Sequence, residues 1–274
     1  MIKYSILSRE EIGDIKGFLD PEIYESFFVS SCRYALCAID NNKLCGVLVF
    51  DGKKIVEVID ISVIEPDKGT LEYQLMEKMI YISNDINAEG IVIDVYDSVY
   101  PISFRENILN EGFIEVSKSI LYRFSLEDIV GSAMIKRAMG RDGIVPLNAA
   151  DDTQKRAFSN FLIQNKLFDR FLSDDIADEL SMVYIDENRI MGCVLVSVLT
   201  DRTFNIEYVY MDKAVSMKLP SILSAVANEL AWHFGDMGAD GYVLSTNDKT
   251  DDLVHKVASD AVMLDCIRTY ACGL

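Results

Sequence analysis

The chain has 274 residues, half of them apolar and 10% aromatic, and a net charge of −18. That length gives room for two domains of roughly 130 residues each. The apolar content excludes a disordered chain, and no apolar run reaches the ~18–20 residues that span a bilayer. So acidic a surface repels phosphate backbones and anionic lipid, so neither nucleic acid nor a membrane is an expected partner. It suits a cationic substrate such as an amine. The stretch from Met1 to Glu11 lacks the basic start and apolar run of a signal peptide, so the cytoplasm is the expected compartment. Six cysteines without a CxxC pair and only two histidines point to reduced core thiols and no metal site.

In chain order, Ser8-Arg9-Glu10-Glu11 has the form of a capping box and predicts a helix from Ser8. A short helix follows from Asp20-Pro21 to about Phe28, with Pro at its first position. Tyr34–Ile39 and Leu44–Phe50, joined by the turn at 40–43, predict a β-hairpin. A long strand runs from Ile55 to about Ile64 and is broken at 65–70. Leu75, Met76, Met79, Ile80 and Ile82 form the apolar side of a helix over 71–87, which Gly90 stops. Ile91–Val95 is almost continuously apolar, as a buried parallel strand is, so strand, helix and strand make a βαβ unit. A short helix over 104–110 and strands at 113–116 and 119–124 complete the half, and the Gly-containing, basic stretch 126–143 reads as a linker.

The second half repeats this order. Ile185-Asp186-Glu187-Asn188-Arg189-Ile190-Met191-Gly192 matches the segment from Ile39 to Gly46, Glu207 falls where Glu57 falls, Ala239-Asp240-Gly241 matches Ala88-Glu89-Gly90, and Tyr270 falls near the place of Tyr122. The simplest account is a duplicated domain: residues 1–125, a linker at 126–143, and residues 144–274.

The element order, with Glu57 to Val63, the turn Pro66-Asp67-Lys68-Gly69-Thr70 and the segment Asn110-Glu111-Gly112-Phe113, resembles the GNAT acetyltransferase superfamily in tandem form. The resemblance implies a mixed α/β (α+β) fold with two GNAT-like domains. Each would be a mostly antiparallel, twisted sheet flanked by helices, with a central βαβ unit. It implies acetyl-CoA as co-substrate, no metal, and transfer of an acyl group to a primary amine of a small molecule or peptide; a homodimer is left open. The backbone of Ile61, Ser62 and Val63 would pair with the pantetheine arm. Lys68, Gly69, Thr70 and Leu71 would hold the pyrophosphate at a helix start, and Glu57 would serve as general base. Tyr96, Asp97 and Tyr100, just past the buried strand, are the expected substrate residues.

The sequence departs from the family pattern. The turn holds one glycine, Ile108 and about Val257 stand where many members carry an acidic tyrosine, and about Pro101 replaces an expected Asn. The second half has Asp212 and no glycine over 212–220, so it is expected to bind no coenzyme A and to serve as a structural or substrate-covering domain. The rival reading is an inactive GNAT fold that binds an acyl-CoA, a small ligand or a protein. A transferase using aminoacyl-tRNA is a third, which the acidity opposes. Asp151-Asp152-Thr153 reads as a helix cap, Asp174-Asp175 with Asp178 and Glu179 as a solvated helix face, and His233 as a packed or capping residue.

Overall fold

A computed structural model describes residues 2–64, 70–138, 140–168, 176–187, 189–235 and 238–274. By contacts the chain divides into two compact units, Met1–Lys118 with Asp265–Leu274, and Ser119–Leu264.

The first unit is a six-stranded sheet in the order β1 (Lys3–Leu7), β2 (Arg33–Asp40), β3 (Lys43–Asp51), β4 (Ile55–Val63), β5 (Gly90–Tyr96), β12 (Val262–Gly273). All neighbours are antiparallel except β4 and β5, which are parallel. Side chains alternate across the strands, so each strand feeds two cores. Leu36, Leu48, Val56, Val58, Ile91 and Ile93 meet α2 (Thr70–Asp85) and α3 (Ile102–Asn110) on one face. Ala35, Cys37, Val47 and Val49 meet α1 (Pro21–Val29) and the 3-10 turn Ile12–Ile15 on the other. Each such aliphatic side chain, fully buried, contributes about 1.5–3 kcal/mol. Gly46 lets α2 approach β3, since a Cβ there would stand 3.1 Å from the Leu75 side chain. Asp20 caps α1 by accepting the Glu22 N–H at 2.8 Å, as the Asp-Pro start implies.

The second unit repeats the plan in the order β6 (Ile114–Ser125), β11 (Asp240–Ser245), β10 (Thr203–Met211), β9 (Arg189–Thr200), β8 (Met182–Asp186), β7 (Ile144–Pro146), with β10 and β11 its one parallel pair among the described residues. Helix α7 (Leu219–Phe234), with α4 (Leu126–Gly131), α5 (Ala133–Lys136) and α8 (Asp248–Val257), covers one face. Helix α6 (Asp152–Gln164) covers the other.

Four expectations change. The start of the chain is a strand, β1, and Ser8–Glu11 leads only into the 3-10 turn; Glu11 still accepts the Ser8 N–H at 3.2 Å, but Gly13 and Gly17 follow at once and weaken a helix. Residues 114–125 form one strand, not two. The stretch 126–143 is more than a connector. Leu126, Ile129 and Ile135 are buried in the second unit's core, and Ser125 and Asp128 form a capping box on α4. Asp178 and Glu179 lie in a turn rather than on a helix face, and Asp174 and Asp175 lie outside the described residues. Asp151 does cap α6, with Gln154 completing the box. Cys37, Cys193 and Cys266 are buried and Cys32, Cys45 and Cys272 half-buried, all as free thiols. No helix among the described residues is long and apolar enough to cross a membrane.

Candidate functional site: a strand fork in each unit

In the first unit β4 and β5 pair over only four residues, Ile55 with Gly90 to Val58 with Ile93. There β4 carries a bulge. Asp60 pairs with Val49 and Val58 with Phe50, leaving Ile59 as the extra residue. Beyond it, Ile59–Val63 and Asp94–Tyr96 run on unpaired with each other, and the two strands form a fork. The Ile64 N–H bonds back to Cys45 of β3 at 3.0 Å, so by alternation Ile61 and Val63 turn their N–H groups toward the fork. Three of the expected cofactor residues, Ile61, Ser62 and Val63, therefore lie at its edge. Thr70 opens α2 and is exposed, while Leu71 packs on the core below. Lys68 and Gly69 lie outside the described residues.

Tyr100, in the turn between β5 and α3, packs into the same core as Ile61. It is 7% exposed and stacks on Phe104 at 4.9 Å and 24°, with its hydroxyl near the Ile61 backbone amide. Burial and then the Asp60 charge push its pKa up, while the amide pulls it the other way. Asp60 accepts a bond from the Ser62 hydroxyl at 2.6 Å. Glu72, buried on the first turn of α2, also bears on the Tyr100 hydroxyl, and its Oε2 has no hydrogen-bond partner among the described residues.

Of the other expected substrate residues, Tyr96 bears on the Tyr100 hydroxyl and accepts the Tyr100 N–H at its carbonyl at 2.9 Å, while Asp97 is engaged elsewhere. Asp97 Oδ1 accepts from Arg105 Nη1 at 2.5 Å and from Arg268 Nε at 3.2 Å, and Arg268 also donates to Glu115 at 2.9 Å. This is a bracing ion-pair network at the end of β5. Tyr96 is exposed, its pKa raised by partial burial and then by Asp94 and Asp265. Glu57 is exposed on the α1 side of β4, two residues before the bulge and directly across from Asp51.

The second unit has the same fork. Parallel pairing runs from Thr203 with Asp240 to Ile206 with Val243, and a bulge follows at Glu207. The pairing and the core-facing residues set Phe204 against Val56, Ile206 against Val58, Val209 against Ile61 and Gly241 against Ile91. Two matches read from sequence therefore shift. Glu207 corresponds to the bulge residue Ile59, not to Glu57, and Gly241 to Ile91, not to Gly90. The Glu207 carboxylate accepts from Ser197 Oγ at 2.6 Å and Asn205 Nδ2 at 2.8 Å. Thr250 lies in the first turn of α8. Beside it lies an apolar cavity of ≈ 30 Å³, lined by Ile206, Val209, Val243, Val254 and Val257 among others. At the end of β10, Asp212 accepts the Ala214 N–H at 2.8 Å, and a 3-10 turn, Lys213–Lys218, precedes α7. The chain's own carboxylate thus fills the start of that turn.

One cluster escaped the sequence reading. Tyr122 of β6 donates to Asp251 Oδ1 and lies 3.4 Å from His255 Nε2, the last two one turn apart on α8. Burial, then Asp251, push the Tyr122 pKa up to about 12. The Asp-x-x-x-His spacing was its only local signal. His233 packs edge-on against Phe234 at 4.9 Å in the last turn of α7. Among the described residues no group of three or more His, Cys, Asp or Glu is placed to hold a metal ion.

No protein-family model matches the chain, and no curated protein matches it by sequence. Solved structures do match its shape. A tandem GNAT protein from the clavulanic acid biosynthesis pathway superposes with a TM-score of 0.65 at 9% identity, over 100% of this chain and 98% of that one. A GCN5-related N-acetyltransferase from Sphaerobacter thermophilus gives 0.64 at 10% identity, over 99% and 95%. Another from Anabaena variabilis gives 0.53 at 12%, over 99% and 72%. At such identities the likeness is one of fold, and it agrees with the element order, the paired forks and the repeated plan: the chain is a tandem GNAT-fold protein, two GNAT-like domains in one polypeptide.

Proposed function

We propose that the chain is an N-acyltransferase that passes an acetyl or other acyl group from coenzyme A to a primary amine of a small molecule or peptide, with the thioester held at the fork of the first unit. The observation that supports this is the fork itself: the Ile61 and Val63 N–H groups turn away from β3 where β5 has left them. An extended arm carrying amides fits such an edge as an added strand would. The start of α2 at Thr70 and Leu71 stands at its mouth, where helix N–H groups favour a phosphate. Asp60 and Glu72 make the inner end acidic, which suits an ammonium acceptor. Once deprotonated, the amine nitrogen attacks the thioester carbonyl, the C–S bond breaks, and coenzyme A leaves as its thiol. Glu57, exposed to solvent, takes the ammonium proton through water in this reading. The carboxylate on the bulge of the second unit, Glu207, is engaged by Ser197 and Asn205, and its turn is self-capped by Asp212. Both features favour leaving the coenzyme to the first unit.

A thermal-shift titration with acetyl-CoA and with coenzyme A tests the binding. A ligand at 100 times its dissociation constant stabilises by about 2.7 kcal/mol, so no shift with either at millimolar concentration defeats the proposal. Given turnover of an amine, Glu57→Gln is expected to lower the rate by ~10²–10⁴-fold with coenzyme affinity nearly intact. A second reading, a GNAT fold that binds and does not turn over, is favoured by Ile108 at the acid position, a buried core residue with no proton to give. Stabilisation by coenzyme without acyl transfer to any of a panel of amines selects it.

A further inference from the structure

We propose that the first unit carries a second ligand site, at the end of its sheet opposite the fork, which takes a small aromatic carboxylate. The site stands whether or not the first unit binds coenzyme A. A cleft of ≈ 470 Å³ lies there between the strands and the end of α2, within the size range of small-molecule sites. Tyr34 of β2 and Phe50 of β3 face each other across the strand pair and stack at 5.7 Å and 29°, giving the cleft an aromatic wall. Ile82 of α2 and Ile86 just past its end line it from the helix side, and Ile6 of β1 lines it at the edge. Ile6 and Ile86 remain 45% and 52% exposed, apolar surface that a ligand in the cleft would cover. Among the described lining residues the only charged ones are Lys53 and Lys54, in a chain of net charge −18. Their partners, Asp51 at 3.1 Å and Glu89 at 2.7 Å, are not among those lining residues. Asp51 is also held by Arg33, and both lysine side chains are largely exposed, where such pairs are worth little and exchange readily. An anionic head at the lysines and a ring along the Tyr34–Phe50 wall match this distribution. A cation does not.

The cleft is preformed. The Gly52 N–H bonds the Cys32 carbonyl at 2.8 Å, and a Cβ on Gly52 would stand 3.1 Å from the Tyr34 ring, so glycine lets the β3–β4 turn close beside that ring. The Lys54 carbonyl accepts the Glu89 N–H at 2.7 Å and ties the turn to the start of β5. Asn87, at φ 56°, ends α2 in the left-handed conformation, with the Ala88 N–H on the Ser83 carbonyl at 2.9 Å. The second unit does not repeat these features. Ile206 matches Val58, so Val196 stands where Phe50 stands, and the turn before β10 carries Asp201 with Arg202. The fold therefore requires neither the aromatic pair nor the doubly cationic turn. The sixteen residues of α2, about 24 Å of helix, separate the cleft from Thr70 at the mouth of the fork. A ligand here leaves the fork open.

The test uses the full chain, with 2-naphthoate as probe and 2-naphthylmethylamine as its cationic counterpart. NMR follows the amide and methyl signals of Ile6, Ile82 and Ile86 during titration. Saturable shifts at these residues are expected with 2-naphthoate, with affinity at least tenfold weaker for the amine. Lys53→Gln combined with Lys54→Gln is expected to weaken naphthoate about tenfold, the worth of one charge-assisted hydrogen bond. Ile86→Glu, which places a carboxylate in the cleft at an exposed position, is expected to abolish binding; the lysine variant decides if this one folds poorly. No saturation at millimolar naphthoate overturns the site, and so do equal binding of the amine or unchanged affinity in the lysine variant. Shifts centred on Ile61 to Val63 and Thr70 instead would put the probe in the fork and overturn it too. Signals of Ile6 and Ile86 that follow protein concentration and ignore naphthoate would make the cleft a contact between copies, which also defeats the assignment.

Discussion

Asp51, the last residue of β3, is only 4% exposed, and three neighbours reach its carboxylate: Arg33 Nε at 2.8 Å, Lys53 Nζ at 3.1 Å and Ser30 Oγ at 3.4 Å. Burial would raise its pKa, but the hydrogen bonds and charges of Arg33 and Lys53 together outweigh that, and the pKa lies below the ordinary aspartate value. A depressed carboxylate pKa stabilises the fold above the unfolded-state value and loses that stabilisation as pH falls through the folded-state value. Asp51→Asn is therefore expected to cost about 1–3 kcal/mol at neutral pH, with the gap to the parent chain closing below about pH 4. Urea denaturation at both pH values checks it; an unchanged gap would show that the charge is not the source. At this scale the sequence is readable where a residue acts on its own neighbours in the chain. The Asp20 and Asp151 caps follow from spacing alone. Glu57 and Glu207 do not, because a bulge adds one residue to a strand without leaving a mark in composition, and the two bulges stand at different places relative to the glutamates.

Elements were legible wherever their apolar period was long. The hairpin β2–β3, the strand β4, the helix α2 and the buried strand β5 all follow from pattern. The strand β1 was not, since Lys3-Tyr4-Ser5-Ile6-Leu7 is short and only partly covered. Nor were the short helices α4 and α5, whose apolar residues Leu126, Ile129 and Ile135 are too few to show a period among glycines. Strand β11 shows how packing sets identity at one position. A Cβ on Gly241 would stand 2.2 Å from the Phe124 ring and 2.6 Å from that of Phe204, and those rings lie edge to face with centroids 6.0 Å apart. In the first unit Ile91 fills this register and the opposing residue of β12 is the smaller Cys272. Bulk has moved from one strand to its neighbour between the copies. Gly241→Ala is expected to cost about 1–3 kcal/mol through overpacking, measured by thermal unfolding. A neutral result would mean that the two rings can part without loss.

For the whole molecule, the duplication is legible in sequence but the ownership of two strands is not, because periodicity reports how a strand faces its core and not which sheet it joins. The strand after β5 in the chain, β6, pairs with β11, and the strand after β11, β12, pairs with β5. Tyr122 and Tyr270 consequently occupy like places in opposite copies, Tyr122 opposite Val243 and Tyr270 opposite Ile93, both buried. Cutting the chain into sequential halves at 126–143 would strip each unit of one strand. A chain ending at residue 264 is expected to lose protection at alternate amides of β5 and the cooperative unfolding of the first unit. Residues 1–118 joined through a short flexible linker to 265–274 are expected to recover both. Hydrogen exchange and calorimetry on the two chains decide it, and a stable first unit without residues 265–274 would contradict the expectation.

The exchanged strand also has a consequence in time. A chain leaves the ribosome from its N-terminus at roughly 5–20 residues per second, and domains commonly fold in that order. Here the first unit cannot close its sheet until residues 265–273 have emerged, behind the whole of the second. Through that interval the outer edge of β5, a run of Ile91, Val92, Ile93 and Val95, is an open template for any passing strand. The copy made first is finished last, and its exposure to chaperones and to mispairing lasts as long as the second copy takes to be synthesised.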